Sequence, residues 1–200
     1  MTHTKTLVTI VIIAYNEERF IAESIESALG QTYDNIEVIV VDDGSKDTTC
    51  AIVKRYEPKV TLISQANSGN CSFPRNAGLA LAKGEFISFL DAGDILLPQK
   101  IAKQVELLQE YPDPDLLVND YCNFREQDEQ RNHFSTCPRL MSEFEKVGSQ
   151  NLLLLAGKGA DIMLDENFTI ASSPLFRTSI VKEFGGFCKD LYACEDYHLN

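Results

Sequence analysis

Four short runs rich in β-branched residues, Leu7–Ile13, Ile36–Val41, Val60–Ser64 and Glu85–Leu90, recur through the first 120 residues. They carry Val and Ile on both faces, as strands covered above and below do; a strand with one wet face alternates instead. Between them, Glu18–Gly30, Asp47–Glu57 and Ser72–Lys83 read as helices. In the first of these, Ile21, Ile25, Ala28 and Leu29 form one apolar stripe. Asn16 reads as its N-cap, Glu17 and Glu18 lie in a first turn where the helix dipole favours anions, and Gly30 closes it. Strand–helix alternation of this kind predicts an open, mostly parallel α/β sheet flanked by helices.

Pro98 opens a further helix in which Ile101, Val105 and Leu108 face inward, ended by Tyr111-Pro112-Asp113-Pro114. Leu116–Asn119 reads as a fifth strand. Residues 120–150 are polar and aperiodic, as an inserted loop would be. The remainder predicts a helix over Leu152–Ala156, a strand near 168–172 and a helix from Pro174 to Phe184. The chain ends at Glu195-Asp196-Tyr197-His198-Leu199-Asn200, which reads as the first turn of a helix and predicts that a longer natural chain continues. Two hundred residues suit one domain, with 1–119 and 120–200 as its two halves.

Eighteen basic against thirty acidic side chains leave a net charge of −12, which argues against a surface built to grip nucleic acid phosphates. None of the six cysteines has CxxC spacing, so no zinc knuckle or thioredoxin-type motif is present. The apolar run Leu7–Ala14 is too short for a membrane span and lacks a cleavage region, so the expected address is the cytoplasm and the sequons at Asn70 and Asn167 are idle.

In a parallel α/β sheet, ligands bind outside the carboxyl ends of the strands. Tyr15 and Asn16 follow the first strand, Asp42-Asp43-Gly44-Ser45 the second, and Asp91-Ala92-Gly93-Asp94 the fourth. Four carboxylates and an aromatic ring on one rim oppose both strand propensity and charge repulsion. A divalent cation or the hydrogen-bond donors of a nucleotide account for them; a plain turn at Asp43-Gly44-Ser45 and a helix cap at Asp91 are the alternative. Neither GxGxxG nor GxxxxGK[ST] is present, so a pyrophosphate would be neutralised by Mg²⁺ or Mn²⁺ held on carboxylates, or by side chains.

The order and spacing of several segments resemble the family 2 glycosyltransferases, inverting sugar-nucleotide enzymes of the GT-A fold. These are Ile12-Ile13-Ala14-Tyr15-Asn16-Glu17-Glu18, Gln31-Thr32, and Glu37 through Asp42-Asp43-Gly44-Ser45-Lys46-Asp47-Thr48. Asn67-Ser68-Gly69, Pro74-Arg75-Asn76-Ala77-Gly78 and Ala82-Lys83-Gly84-Glu85 through Asp91 continue the pattern. Phe184-Gly185-Gly186-Phe187, leading to Glu195-Asp196-Tyr197, completes it.

The resemblance implies a nucleotide-diphosphate sugar donor, in the first instance a UDP-sugar. Tyr15 would lie against the base, Asp43 would accept a hydrogen bond from a uracil ring N–H with Asp42 in support, and Arg75 would face the nucleotide or its phosphates. Asp91 and Asp94 fall where the family keeps its metal-binding DxD motif. Asp196, with Glu195 beside it, falls where it keeps the catalytic base; His133 and His198 are alternative proton acceptors. The acceptor would be a carbohydrate or lipid-linked hydroxyl in polysaccharide or glycoconjugate synthesis, reached by a chain with no membrane span of its own but able to associate peripherally. One departure stands out: Gly93 occupies a position that is commonly a metal-ligating Asp. It keeps open a degenerate sugar-nucleotide-binding or scaffold protein. A nucleotidyltransferase is less favoured, because Ala14-Tyr15-Asn16-Glu17 has neither glycine nor a basic residue.

Overall fold

The computed structural model describes residues 5–123, 132–147, 153, 155 and 158–191. Strands β1 (Val8–Ala14), β2 (Ile36–Asp42), β3 (Val60–Ser64) and β4 (Phe86–Asp91) alternate with helices α1 (Ile21–Leu29), α2 (Thr49–Val53) and α3 (Ser72–Leu81). They form a parallel sheet in the order β3-β2-β1-β4. Helix α4 (Lys100–Glu110) follows, and the sheet ends with the short strands β5 (Leu116–Leu117) and β6 (Leu175–Arg177). β6 runs antiparallel to β4, and β5 antiparallel to β6. The expected open, mostly parallel α/β sheet is therefore the observed one.

Every residue of β1 is buried, because both faces are covered. Val8, Ile10, Ile12 and Ala14 join one core with Ile21, Ile25 and Ala28 of α1 and Ile101, Val105 and Leu108 of α4. Val11 and Ile13 join the opposite core with Leu79 of α3 and with Phe89, Phe176 and Phe187. Helix α3 approaches β1 so closely that a Cβ on Gly78 would lie 2.3 Å from Val11 Cγ1. Only glycine permits that approach.

Several local expectations are corrected. Asn16 does not cap α1: its φ is 56°, and its side-chain oxygen accepts the Lys46 N–H at 2.8 Å. The chain turns through Glu17–Phe20, and α1 begins at Ile21. Helix α2 stops at Val53 and finishes in a 3₁₀ turn, Lys54–Tyr56. In place of a helix from Pro174, the chain forms β6 and then α7 (Thr178–Glu183). The reason is burial on opposite faces of the sheet: Leu175 enters the first core and Phe176 the second. No strand spans 168–172; Phe168 is buried, and a turn closes with Ser173 N donating to Ile170 O at 2.9 Å.

Within 120–150, a 3₁₀ turn (His133–Thr136) and helix α5 (Pro138–Val147) replace the expected loop. Leu140 and Phe144, one turn apart, join Ile162 and Met163 of α6 (Gly159–Asp165) in a third, small core. Of the helix expected over Leu152–Ala156, Leu153 and Leu155 are described and are not helical; the other three residues lie outside the described ones. No described helix is long and apolar enough to cross a membrane.

Candidate functional site

The strand order reverses between β1 and β4, where doubly wound sheets bind ligands. Register aligns the strand ends there, with Ala14 opposite Asp42, Ile13 opposite Asp91, and Asp42 opposite Ser64. Backbone bonds extend the ladder past the strands: Asp43 N donates to Ala14 O, Gln65 N to Asp42 O, and Ala92 N to Ile13 O, each at 2.9–3.0 Å. Tyr15, Asp43, Gln65 and Asp91 thus emerge side by side. Tyr15 is 42% exposed, a large aromatic face left open to a ligand.

Asp43 is buried and tightly held. Its Oδ2 accepts hydrogen bonds from Asn67 Nδ2 (3.2 Å), Ser68 N (3.0 Å) and Ser68 Oγ (2.9 Å), whereas its Oδ1 accepts from Gln65 Nε2 (2.5 Å). Gly44, at φ 77°, makes this contact possible, since a Cβ there would meet Asn67 N at 2.5 Å. Asp42 differs: its Oδ2 accepts Ser45 N at 3.3 Å, and its Oδ1 is buried with no hydrogen-bond partner among the described residues. A buried carboxylate oxygen without a donor is costly, which marks it as an acceptor for something else.

Arg75 and Asp91, on separate elements, meet. Arg75 is 2% exposed, and its Nη2 donates to Asp91 Oδ1 and Oδ2 at 2.8 and 3.0 Å. Its guanidinium lies 5.3 Å from the Phe187 ring centroid, a cation–π distance. Asp91 keeps a 43% exposed side chain. Asp94 Oδ2 accepts from Ser172 Oγ at 2.5 Å, and the same hydroxyl accepts Asp91 N at 3.2 Å. Burial raises the Asp94 carboxyl above its ordinary range; the Ser172 hydrogen bond opposes that shift, and the Asp91 charge adds to it. Between these acids, Gly93 takes φ 103°, and its N–H donates to Ser24 Oγ at 3.0 Å. Among the described residues, no group of three or more His, Cys, Asp or Glu could enclose a metal. Asp91 and Asp94 supply carboxylate oxygens, the donor type that hard ions such as Mg²⁺ and Mn²⁺ take.

Glu195 and Asp196 lie outside the described residues, as does His198. The segment leading to them is anchored on α3 and the loop before it. Asn70 Nδ2 donates to Lys189 O (3.1 Å) and Leu191 O (2.8 Å), Ser72 Oγ to Cys188 O (2.7 Å), and Asn76 Nδ2 to Phe187 O (2.8 Å). The helix that carries Arg75, with the loop before it, therefore also anchors residues 187–191. His133 is engaged elsewhere, its Nε2 lying 2.6 Å from Asn167 O and its ring stacked on Tyr121. Sequence reasoning missed Gln65, Ser172 and Ser24. Only Asn67-Ser68-Gly69 had left a signal, and that without a role.

The chain belongs to glycosyl transferase family 2, whose model matches residues 9–181. An uncharacterized glycosyltransferase of Rickettsia prowazekii, RP339, is 38% identical over 140 residues, 70% of this chain and 43% of that protein. S. aureus TarS 1–349, solved in complex with UDP, has TM-score 0.71 and 24% identity, covering 95% of this chain and 52% of that one. Mannosyltransferase PcManGT from Pyrobaculum calidifontis, in complex with GDP-Man and Mn²⁺, has TM-score 0.65 and 24% identity, covering 98% and 51%. At those identities the likeness concerns the fold, which is of the GT-A type. The chain spans less than half the length of the curated relatives it matches first.

Proposed function

We propose that the chain is a glycosyltransferase domain that moves a sugar from a nucleotide diphosphate, in the first instance UDP, to a hydroxyl acceptor with inversion. The observation that carries the reading is Asp43. Three donors fix its Oδ2, while Oδ1 retains an acceptor position on the rim beside the open face of Tyr15. Gln65 Nε2 takes one of the two acceptor positions of Oδ1, a ring N–H of uracil would take the other, and the orphaned Asp42 Oδ1 favours a further donor on the same ligand. That TarS was solved with UDP supports a uridine nucleotide.

Asp91 and Asp94 would hold Mg²⁺ or Mn²⁺; PcManGT was solved with Mn²⁺. Such an ion stabilises the charge of a departing diphosphate. Arg75, buried against Asp91, orients that carboxylate and adds a cation behind it. Asp196, with Glu195 beside it, is assigned the proton of the attacking acceptor hydroxyl, a role worth roughly 10²–10⁴-fold in rate. Attack from the face opposite the diphosphate inverts the anomeric centre. The acceptor is a carbohydrate or lipid-linked hydroxyl, bound largely by residues 120–200, against a donor half at 1–119. A cytoplasmic site of action and peripheral contact with a membrane holding the acceptor belong to the same proposal.

A second reading, a sugar-nucleotide-binding protein without transfer, is favoured by Gly93 and by the engagement of Asp91 with Arg75. Transfer of radiolabelled sugar from a UDP-sugar, compared with calorimetric UDP binding, separates the two. Binding with transfer in the full-length natural chain supports the enzyme, and loss of transfer in Asp196→Asn supports the base. Binding without transfer in that chain supports the second reading.

A further inference from the structure

We infer that Gln65 is a base-reading residue of the donor site: together with Asp43 it selects a ring edge bearing an N–H beside a carbonyl. This rests on the proposal that a uridine nucleotide binds at this rim.

Ser64 ends β3 opposite Asp42, and Gln65 N continues the ladder by donating to Asp42 O at 3.0 Å. The Gln65 side chain therefore stands next to Asp43, with Nε2 2.5 Å from Oδ1. A carboxylate oxygen has two acceptor positions and a primary amide two N–H donors. The mutual bond uses one of each. Among the described residues, the Gln65 amide makes no other hydrogen bond, and Oδ1 accepts from no other group. What remains is one acceptor beside one donor, held in place because Oδ2 is fixed by Asn67 and Ser68 and the two loops touch at Gly44.

Uracil presents N3–H flanked by two carbonyl oxygens, so its ring donor meets Asp43 Oδ1 and a neighbouring carbonyl meets Gln65. Cytosine puts an unprotonated ring nitrogen at that position, opposite a carboxylate, and the pair repels it. Asp43 rewards the ring N–H; Gln65 rewards the carbonyl beside it. The second contribution is open to a direct test, because sulfur in place of a carbonyl oxygen is a much weaker acceptor.

The experiment measures binding of UDP, 2-thio-UDP, 4-thio-UDP and CDP by calorimetry, in the unaltered chain and in Gln65→Met, which keeps length and removes the amide. The unaltered chain is expected to bind UDP about tenfold more tightly than one of the two thio analogues, the value of one hydrogen bond. In Gln65→Met that preference is expected to vanish, with UDP weakened about tenfold and the thio analogue little changed. If Gln65 only braced Asp43, UDP and its thio analogue would weaken together and their ratio would persist, overturning the inference. Equal binding of all three uridine ligands to the unaltered chain would also overturn it, whether or not the variant folds. Failure of the unaltered chain to bind UDP at all would instead overturn the uridine reading.

Discussion

Lys100 supplies a pH test of the interior. Half-buried as a residue, it nevertheless has its ammonium buried, and burial pushes its pKa down to about 7. Nζ donates to Ser88 Oγ at 3.3 Å and to Gln104 Oε1 at 3.0 Å, both neutral acceptors. In the unfolded chain the same amine titrates near 10.5. Between those values the unfolded state holds a proton that the native state has lost, so stability rises with pH across the window and is flat below about 7. The slope approaches about 1.4 kcal/mol per pH unit, which gives about 2 kcal/mol between roughly pH 7 and 9 once the curvature near the native pKa is included. Lys100→Met removes the titrating group while keeping the methylene packing of α4. Urea unfolding of both proteins at several pH values isolates the residue, because the other titrating groups are common to both. The expected result is a difference in stability that narrows by about 2 kcal/mol as the pH rises across that interval. A pH-independent difference would refute the buried, unneutralised ammonium.

Three further outcomes follow from the geometry around the rim. Gly78→Ala is expected to destabilise by about 1–3 kcal/mol in chemical unfolding, because its Cβ would collide with Val11 Cγ1 at 2.3 Å and the strand behind it is fully buried. Gly93→Ala is expected to cost about 1–3 kcal/mol by the same measurement through backbone strain alone, since φ is 103° and nothing lies within 4 Å of the added carbon. Asp94→Asn is expected to reduce the strengthening of UDP binding by Mn²⁺ while leaving metal-free binding nearly unchanged, as titration with and without chelator would reveal. Unchanged Mn²⁺ enhancement would remove Asp94 from the metal set.

The parallel half of the sheet was legible because burial on both faces writes itself as continuous apolar runs; all seven residues of β1 are buried. The antiparallel edge was not. β5 and β6 have two and three residues, too few for a period to emerge, and Pro174 imitates a helix start. Helix α5 was masked by its polar face, with Arg139, Glu143, Glu145 and Lys146 outnumbering the inward Leu140 and Phe144. At the site, Tyr15, Asp42, Asp43 and Asp91 stood out as residues that neither packing nor strand propensity favours at strand ends. The bracing of Asp43 did not, since Gln65 and Ser68 reach it only through the β2–β3 register, 22 and 25 residues along the chain. Asn16 was misread because an Asn before a helix signals a cap, and only the backbone reveals that it adopts a positive φ to meet Lys46.

The central claim is that Asp43 reads a uracil ring N–H at the ends of β1 and β2. Its most direct test is calorimetry of UDP with Mn²⁺ against the unaltered chain and against Asp43→Ala, with circular dichroism to establish that both are folded. Loss of a charged acceptor in a buried site is expected to weaken binding by about 1–3 kcal/mol, roughly 5- to 150-fold. The account predicts that loss, together with disappearance of any preference for UDP over CDP. A folded Asp43→Ala that binds UDP as tightly as the unaltered chain, with the same preference, would contradict it.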